Sequence, residues 1–441
     1  MTLNAILSIV IFVIAYIIIA SEKMNKTTVT IIASSLVIFF HLVPFNYAME
    51  SVDMNVIFLL VGMMTCVDIV SRTGFFEWMA LSVAKKAKGD PMRIMILLLL
   101  VTGFLSAFFA NVTTIILLVP LTILITQLLE INPVPFIIGE ALVSNITGTA
   151  TLIGDPPNII IGSQAHYSFT DFLIHLSPVI LIVTAVFLLT MFLVFRRSFV
   201  VSETIKQRVI KAIPHLAIVD KENMRKSLII LAFIFAGFFL PERICAEPGI
   251  IALFGSMIMM VVCRSDSDET LMKVEWGVIF FFIGMFIMTS ALVGNGVIAA
   301  LGNYIIHVFG HHFFLICMVI MVGSALLSGI LDNIPYVITM VPLVKDFITH
   351  FSQAAGYTDP AYITTHIAYP LWWSLALGAC LGGNMTIIGS SPNVVAVKMS
   401  EKNNYPISFG KFMQYGVPIT IQTILISGVY IWIRYFLLQG Q

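Results

Sequence analysis

Two apolar stretches of this sequence are interrupted by polar residues that could bind ions. One covers 144–158 and contains Asp155 before two prolines, and the other covers 382–393 and contains Ser391 before a proline. Glycines and prolines within a membrane span break its helix, and irregular backbone survives at that depth only where it lines a cavity. We predict that a second helix starts at each break, with Asp155 and Ser391 capping its free amides.

Two further apolar stretches, 93–129 and 313–349, carry polar residues at their midpoints. Each stretch is too long for one span of about 20 residues and leaves no loop for two spans. The midpoints are Asn111-Val112-Thr113-Thr114 and Asp332-Asn333-Ile334-Pro335. We predict two re-entrant hairpins whose second helices begin at these tips.

Four half-helix N-termini would then meet near the middle of the membrane. Their dipoles and free amides favour an anion, whereas unwound carbonyls and side-chain oxygens can hold a cation. This pattern predicts a shared site for a substrate anion and a coupling cation. The candidate binding residues are Asn111, Thr113, Thr114, Asn145, Thr149, Thr151, Asn158, Asn333, Asn384, Thr386, Ser390, Ser391 and Asn393.

Carboxylates inside the apolar stretches are candidate carriers of the coupling ion. An acidic residue at the centre of a membrane helix costs about 2.5–3.5 kcal/mol, so its presence indicates a function. Asp155 and Asp332 lie at a break and at a tip, and we predict that they bind H+ or Na+. Glu140 lies one turn before the first break and is a candidate proton relay. Asp68 lies one turn before Arg72, which indicates a local ion pair.

Composition excludes several other classes of protein. Of the residues, 59% are hydrophobic, 10% are charged and the net charge is zero, which indicates a membrane protein and argues against binding of nucleic acid. The five cysteines are scattered, and His311-His312 has no companion ligand, so we predict neither a metal site nor a cofactor. Without a nucleotide loop or a catalytic nucleophile motif, we expect neither an ATP-driven pump nor an enzyme.

The sequence repeats itself along its length. Residues 52–58 match 274–280 at an offset of 222, and the same offset pairs Asn111 with Asn333; farther on, 151–158 match 386–393 at an offset of 235. We predict two homologous halves, 1–196 and 227–441, joined by a linker at 197–226.

Hydropathy predicts an all-α polytopic membrane protein. The predicted spans are 3–20, 27–43, 55–72, 133–163 and 172–195, then 227–240, 249–263, 276–294, 366–399 and 412–436. Five crossings and one hairpin in each half place the two halves in inverted orientation.

Charge predicts which side of the membrane each loop faces. With both termini outside and the linker cytoplasmic, 20 of the 23 lysines and arginines fall inside, as expected for a cell-membrane protein. The segments 74–88 and 296–310 are predicted to lie along the membrane surface.

The segment 144–158 closely resembles the signature of the arsenite permease and melanosomal P protein branch of the ion transporter superfamily. Asp332-Asn333-Ile334-Pro335 and 382–393 resemble the second signature of that branch. NhaD-type Na+/H+ antiporters and citrate transporter-like carriers are relatives. The resemblance covers nearly the whole chain, and it implies a homodimeric inverted-repeat carrier in which hairpins and broken helices slide past a scaffold.

These residues and the resemblance together predict a carrier in the lipid bilayer. We expect an elevator-type transporter of a small anion or metalloid oxyacid such as arsenite, coupled to H+ or Na+. Three alternatives stay open: a Na+/H+ antiporter, an anion channel and a di- or tricarboxylate symporter. Dicarboxylate carriers have Ser-Asn-Thr at their tips, whereas the carboxylate of Asp332 favours proton coupling or cation exchange.

Overall fold

The computed structural model describes residues 2–21, 23–199, 201–210, 213–240, 247–309, 312–354 and 356–438. Within these ranges the chain forms helices joined by short turns, without a β-strand. Among the lysines, arginines, cysteines and histidines considered above, Lys211, Arg243, Cys245 and His311 lie outside the described residues.

The described residues before the linker form eleven α-helices. They are α1 (Leu3–Ala20), α2 (Lys26–Phe39), α3 (Phe45–Glu50), α4 (Met54–Arg72), α5 (Phe75–Lys86), α6 (Pro91–Phe108), α7 (Asn111–Leu128), α8 (Val134–Gly148), α9 (Pro156–Ala165), α10 (Phe169–His175) and α11 (Ser177–Phe195). The linker contains α12 (Glu203–Ile210) and a 3-10 turn (Pro214–Ala217).

The rest of the chain forms a second series of helices. They are α13 (Lys221–Phe238), α14 (Pro248–Val262), α15 (Ser267–Met272), α16 (Trp276–Gly294), α17 (Val297–Phe309), α18 (Phe313–Ile330), α19 (Asn333–Ala354), α20 (Pro360–Ile363), α21 (Tyr369–Gly382), α22 (Ser391–Lys402) and α23 (Phe409–Ile431). Single π-helical turns precede α21 (Thr364–Ala368) and follow α23 (Trp432–Leu437).

Helices in the two series begin at equivalent positions. α4 and α16 start 222 residues apart, as do α6 and α18, and α7 and α19. The second pieces of the broken spans, α9 and α22, start 235 residues apart. These offsets are the ones found in the sequence repeat. The boundaries of the halves and their inverted orientation stay predictions.

Both predicted hairpins break where the sequence indicates. Phe109 (φ −127°, ψ 154°) separates α6 from α7, and Leu331 (φ −109°, ψ 154°) separates α18 from α19 in the same extended conformation. The predicted broken spans are also interrupted, between α8 and α9 and between α21 and α22. The four interruptions leave four helix starts inside the protein.

Eight of the described helices are long and apolar enough to cross a membrane. Large apolar side chains face outward, among them Leu181 (71% exposed), Phe233 (72%) and Val261 (78%), as expected for a surface that contacts lipid. The predicted surface segments 74–88 and 296–310 contain α5 and α17, respectively. The ten crossings and the side that each loop faces stay predictions.

Two predictions about helix caps are wrong. Asp155 immediately precedes α9, but its carboxylate makes no capping hydrogen bond, because it turns toward the tip of α19 instead. Ser391 is the first residue of α22 rather than its cap, and the preceding Ser390 also makes no capping bond. The predicted ion pair on α4 is confirmed, since Asp68 and Arg72 lie 2.7 Å apart.

Candidate functional site

Four helix starts surround one cavity of about 430 Å³. The first residues of α7, α9, α19 and α22 all line it, so the structure brings together the four helix N-termini that the sequence predicts. No side chain caps α7, α9 or α22. Free amides and aligned helix dipoles at these ends favour negative charge in the cavity.

Seven of the predicted site residues line this cavity. They are Asn111, Thr113, Asp155, Asp332, Asn333, Ser390 and Ser391. The opposite wall comes from α1, α2, α4 and α16 and includes Tyr16, Lys26 and Glu275. The cavity therefore lies between the hairpins and broken helices on one side and α1, α2, α4 and α16 on the other.

Asp332 is held by three neighbours at the tip between α18 and α19. One carboxylate oxygen, Oδ1, accepts a hydrogen bond from the amide of Ile334 (3.2 Å) near the start of α19. The other, Oδ2, accepts from Ser391 Oγ (3.0 Å) and lies 2.7 Å from Lys26 Nζ. Lys26 thus neutralises the Asp332 carboxylate across the cavity.

The contribution of Lys26 is missing from the sequence prediction, which places this residue in a loop. Lys26 is the first residue of α2, a helix of only 14 residues, and Asn25 caps it by accepting from the amide of Thr27 (2.9 Å). An apolar stretch of fewer than about 20 residues can leave the polar residue before it below the membrane surface. The short predicted span 27–43 is the signal that could have identified Lys26.

Asp155 lies deeper and is only 1% exposed. One of its oxygens, Oδ2, accepts a hydrogen bond from Asn333 Nδ2 (3.3 Å), and the Asn111 amide and Cys380 thiol are its other polar neighbours. Within the described ranges, no lysine, arginine or histidine forms an ion pair with this carboxylate. Cys380, which reaches Asp155 from α21, is not among the site residues predicted from the sequence.

Asn111 joins the first hairpin to the first broken span. Its side-chain amide lies 3.0 Å from the carbonyl oxygens of both Ser144 and Gly154, so its nitrogen faces them and donates to both. It is the first residue of α7, and it makes no capping bond. The amide therefore fixes the position of α7 relative to the break between α8 and α9.

The two threonines at the breaks hold equivalent loops. The hydroxyl of Thr151 donates to the carbonyl of Ala107, and that of Thr386 donates to the carbonyl of Gly329 (2.7 Å). Each hydroxyl oxygen also accepts from a glycine amide three residues on, at 3.1 Å in both loops. These side chains thus attach each broken span to its neighbouring hairpin rather than lining the cavity.

Asn145 connects the two broken spans directly. Its Nδ2 donates to Asn384 Oδ1 (2.8 Å) and to Asn393 Oδ1 (3.0 Å), while its Oδ1 accepts from Ser390 Oγ (3.0 Å). Thr149 Oγ1 donates to the backbone carbonyl of Asn145 (2.8 Å). Residues from the two broken spans therefore form one buried hydrogen-bonded network behind the cavity.

Three further predicted residues lie away from the cavity. Asn158 is buried and donates to backbone carbonyls of the first break. Thr114 is buried on α7. Glu140 is fully buried on α8, where its Oε1 accepts from Thr122 Oγ1 (2.5 Å); within the part of the chain that the structure describes, its Oε2 has no partner.

Comparison with known proteins places the chain among membrane transporters. Residues 16–378 match the family model described as citrate transporter. A 46 kDa membrane protein of Mycobacterium leprae is 36% identical over 439 residues, which cover 99% of this chain and 100% of that protein. An uncharacterized transporter of Mycobacterium tuberculosis is 39% identical over 442 residues, covering 98% and 99%.

More distant similarities extend to a human protein and to a solved structure. The P protein of Homo sapiens is 28% identical over 467 residues, which cover 88% of this chain and 54% of that protein. The crystal structure of the YdaH transporter of Alcanivorax borkumensis has a TM-score of 0.55 at 14% identity, covering 85% of this chain and 84% of that one. The two chains therefore share a fold.

Proposed function

The chain belongs to the citrate transporter family and is a multi-pass membrane transporter, and on this premise we propose that it is a secondary active carrier of a small anion or metalloid oxyacid, such as arsenite, coupled to H+ or Na+. One observation carries the proposal: uncapped helix starts and two carboxylates, Asp155 and Asp332, line the same cavity. The helix starts suit an anion, and the carboxylates suit a cation or a proton.

Charge balance explains why the two would be transported together. Lys26 neutralises Asp332, but Asp155 is buried without an ion-pair partner among the described residues. An anion entering the cavity adds further negative charge, which is costly at low dielectric unless a positive charge accompanies it. Protonation of Asp155, or Na+ bound to it, supplies that charge.

The cavity walls support an elevator-type movement as part of the proposal. The hairpins and broken helices contribute the four helix starts and form one wall, while α1, α2, α4 and α16 form the other. A relative displacement of these two groups would carry the bound substrate across the membrane. A homodimer, which the family resemblance implies, would keep the second group fixed in the bilayer.

Flux into proteoliposomes tests this function. A pH or Na+ gradient is imposed, and arsenite, silicate, phosphate, citrate and chloride are offered in turn. We expect one solute to dissipate the gradient, and D155N and D332N to abolish that effect. D346N removes an exposed carboxylate on the same helix as the second tip and is expected to behave as wild type. Flux that needs no gradient and ignores both substitutions would support an anion channel instead.

A second candidate function is Na+/H+ antiport. The ammonium group of Lys26 contacts Asp332 Oδ2 and Ser391 Oγ, which indicates that these two oxygens can bind a monovalent cation. If antiport is the function, Na+ or Li+ alone dissipates a pH gradient, with no anion required. The citrate arm of the same experiment tests the remaining alternative, a di- or tricarboxylate symporter.

A further inference from the structure

We propose that Lys26 is a built-in competitor for the coupling cation: its ammonium group occupies the site formed by Asp332 and Ser391 and must leave before H+ or Na+ binds there. This inference rests on the proposed cation-coupled transport. It assigns a role to a lysine that neither the repeat nor the helix-break motifs include.

The contacts of the ammonium group resemble those of a bound cation. Lys26 Nζ lies 2.7 Å from Asp332 Oδ2 and 2.7 Å from Ser391 Oγ. The two oxygens are also close to each other, since Ser391 Oγ donates to Asp332 Oδ2 (3.0 Å). The side chain of Asp332 is only 9% exposed, so its ionised carboxylate is costly without a partner of opposite charge.

Lys26 has another place to go when it leaves Asp332. Its side chain is 33% exposed and has a flexible four-carbon stem. The Phe281 ring centroid lies 5.0 Å from Nζ, and the carboxylate of Glu275 interacts electrostatically with it from the same cavity wall. These groups can stabilise the displaced ammonium.

The ion pair also links the two walls of the cavity. Lys26 starts α2, which packs against α1 and α16, whereas Asp332 and Ser391 belong to a hairpin tip and a broken span. Among the ion pairs of the described residues, this pair alone crosses the cavity. Without a bound coupling cation, Lys26 therefore links the hairpin tip and the broken span to the opposite wall. Cation binding breaks this link. Such a link prevents movement without the coupling ion.

Cation binding to purified full-length protein tests the competition independently of transport. The apparent melting temperature is followed against NaCl or LiCl, with choline chloride holding the ionic strength constant. In K26M we expect the half-saturating Na+ concentration to fall about tenfold, because a competing positive charge is removed. K26R keeps the competitor and should bind cations as weakly as wild type. K273M removes an exposed lysine outside the cavity and is the matched control.

A proton-coupled carrier requires a second readout. In that case K26M should reach half-maximal coupled flux at a higher pH, since a proton no longer competes with Lys26 for Asp332. The other charged or titratable groups lining the cavity are Tyr16, Lys23, Asp155, Glu275 and Lys398, and they are unchanged in this variant. K26M should also permit substrate flux without a cation gradient, because the link between the walls is lost.

Two negative results have different meanings. If D332N abolishes the cation response while K26M matches K273M and wild type in every readout, the competitor role of Lys26 is overturned and the proposed coupling site stands. If D332N responds to cations as wild type does, Asp332 does not bind the coupling cation, this inference is overturned, and Asp155 is left as the coupling carboxylate.

Discussion

Asn158 and Asn393 each donate to two backbone carbonyls at the break that precedes them. Asn158 Nδ2 donates to the carbonyls of Thr149 (3.0 Å) and Thr151 (2.9 Å), and Asn393 Nδ2 donates to those of Gly383 (2.9 Å) and Thr386 (3.0 Å). Each asparagine lies in the helix that follows a break and satisfies carbonyls in the loop before it. A buried side-chain amide therefore helps to stabilise each interruption at a depth where water is scarce.

Replacing either asparagine by aspartate should destabilise the protein strongly. N158D and N393D keep the shape of the side chain but replace an amide donor by a carboxylate oxygen that faces two carbonyls. Each buried carbonyl left without its donor costs about 1–3 kcal/mol. We expect both variants to lower the apparent melting temperature in detergent by a similar amount. N303D changes an exposed asparagine and should not alter the apparent melting temperature. If all three variants melt at the same temperature, Asn158 and Asn393 do not stabilise the breaks.

The glycines at the breaks should not tolerate a side chain. A Cβ on Gly154 would lie 2.5 Å from the carbonyl oxygen of Gly148 and 2.6 Å from that of Ser106; on Gly389 the closest contact, with Gly383, would be 2.8 Å. Backbone atoms cannot move aside easily, so G154A should destabilise the protein more than G389A does. The loss for G154A should also exceed the usual cost of overpacking, which is about 1–3 kcal/mol.

A glycine in an open position provides the control for that comparison. Gly323 lies inside α18, and its added Cβ would meet nothing within 4 Å. Alanine is the better helix former by up to about 1 kcal/mol, so G323A should melt at the wild-type temperature or above it. Thermal unfolding in one detergent ranks the three variants, and a G154A protein as stable as G323A would contradict the close approach of the loops around Gly154.

The sequence was sufficient to predict the helix breaks and their convergence. Glycine, proline and polar residues change the local backbone preference, and their spacing within apolar stretches can be read directly from the sequence. The hairpin tips at Asn111 and Asp332 and the restart after Asp155 follow from such local effects. The repeat then places the four helix starts in two equivalent pairs.

The partners of individual side chains could not be predicted in this way. The cap prediction for Asp155 is wrong because Asn333, 178 residues away, provides a competing donor. Lys26 and Asp332 are 306 residues apart, and no local pattern connects them. Several asparagines predicted to line the cavity instead satisfy backbone carbonyls behind it. These outcomes depend on tertiary contacts, to which helix propensity and hydropathy are not sensitive.

The bond between Ser390 and Asn145 should couple the two broken spans energetically. Ser390 Oγ donates to Asn145 Oδ1 at 3.0 Å, and both side chains are fully buried or nearly so. A double-mutant cycle of S390A and N145A should give a coupling energy of about 0.5–1.5 kcal/mol in the free energy of unfolding. S400A on the same α22 removes a hydroxyl that bonds to Tyr405 instead, so its effect should add to that of N145A. If the effects of S390A and N145A on the free energy of unfolding are additive, this bond does not couple the two broken spans.

The burial of Glu140 has no structural explanation in the contacts of the described residues, so we expect the residue to act in transport. Its Oε1 accepts from Thr122 Oγ1, its Oε2 lacks a described partner, and the residue is fully buried. Burying an ionisable carboxyl group costs free energy that a residue with only a structural role would avoid, and such a group can carry a proton.

E140Q keeps an oxygen for Thr122 and has nearly the same shape, so its apparent melting temperature should match that of wild type. If Glu140 relays protons, its pH-driven flux should fall about tenfold or more. E401Q, at an exposed glutamate of α22, should change neither quantity. Wild-type flux in E140Q would remove Glu140 from the proton path and leave Asp155 and Asp332 as the coupling carboxylates.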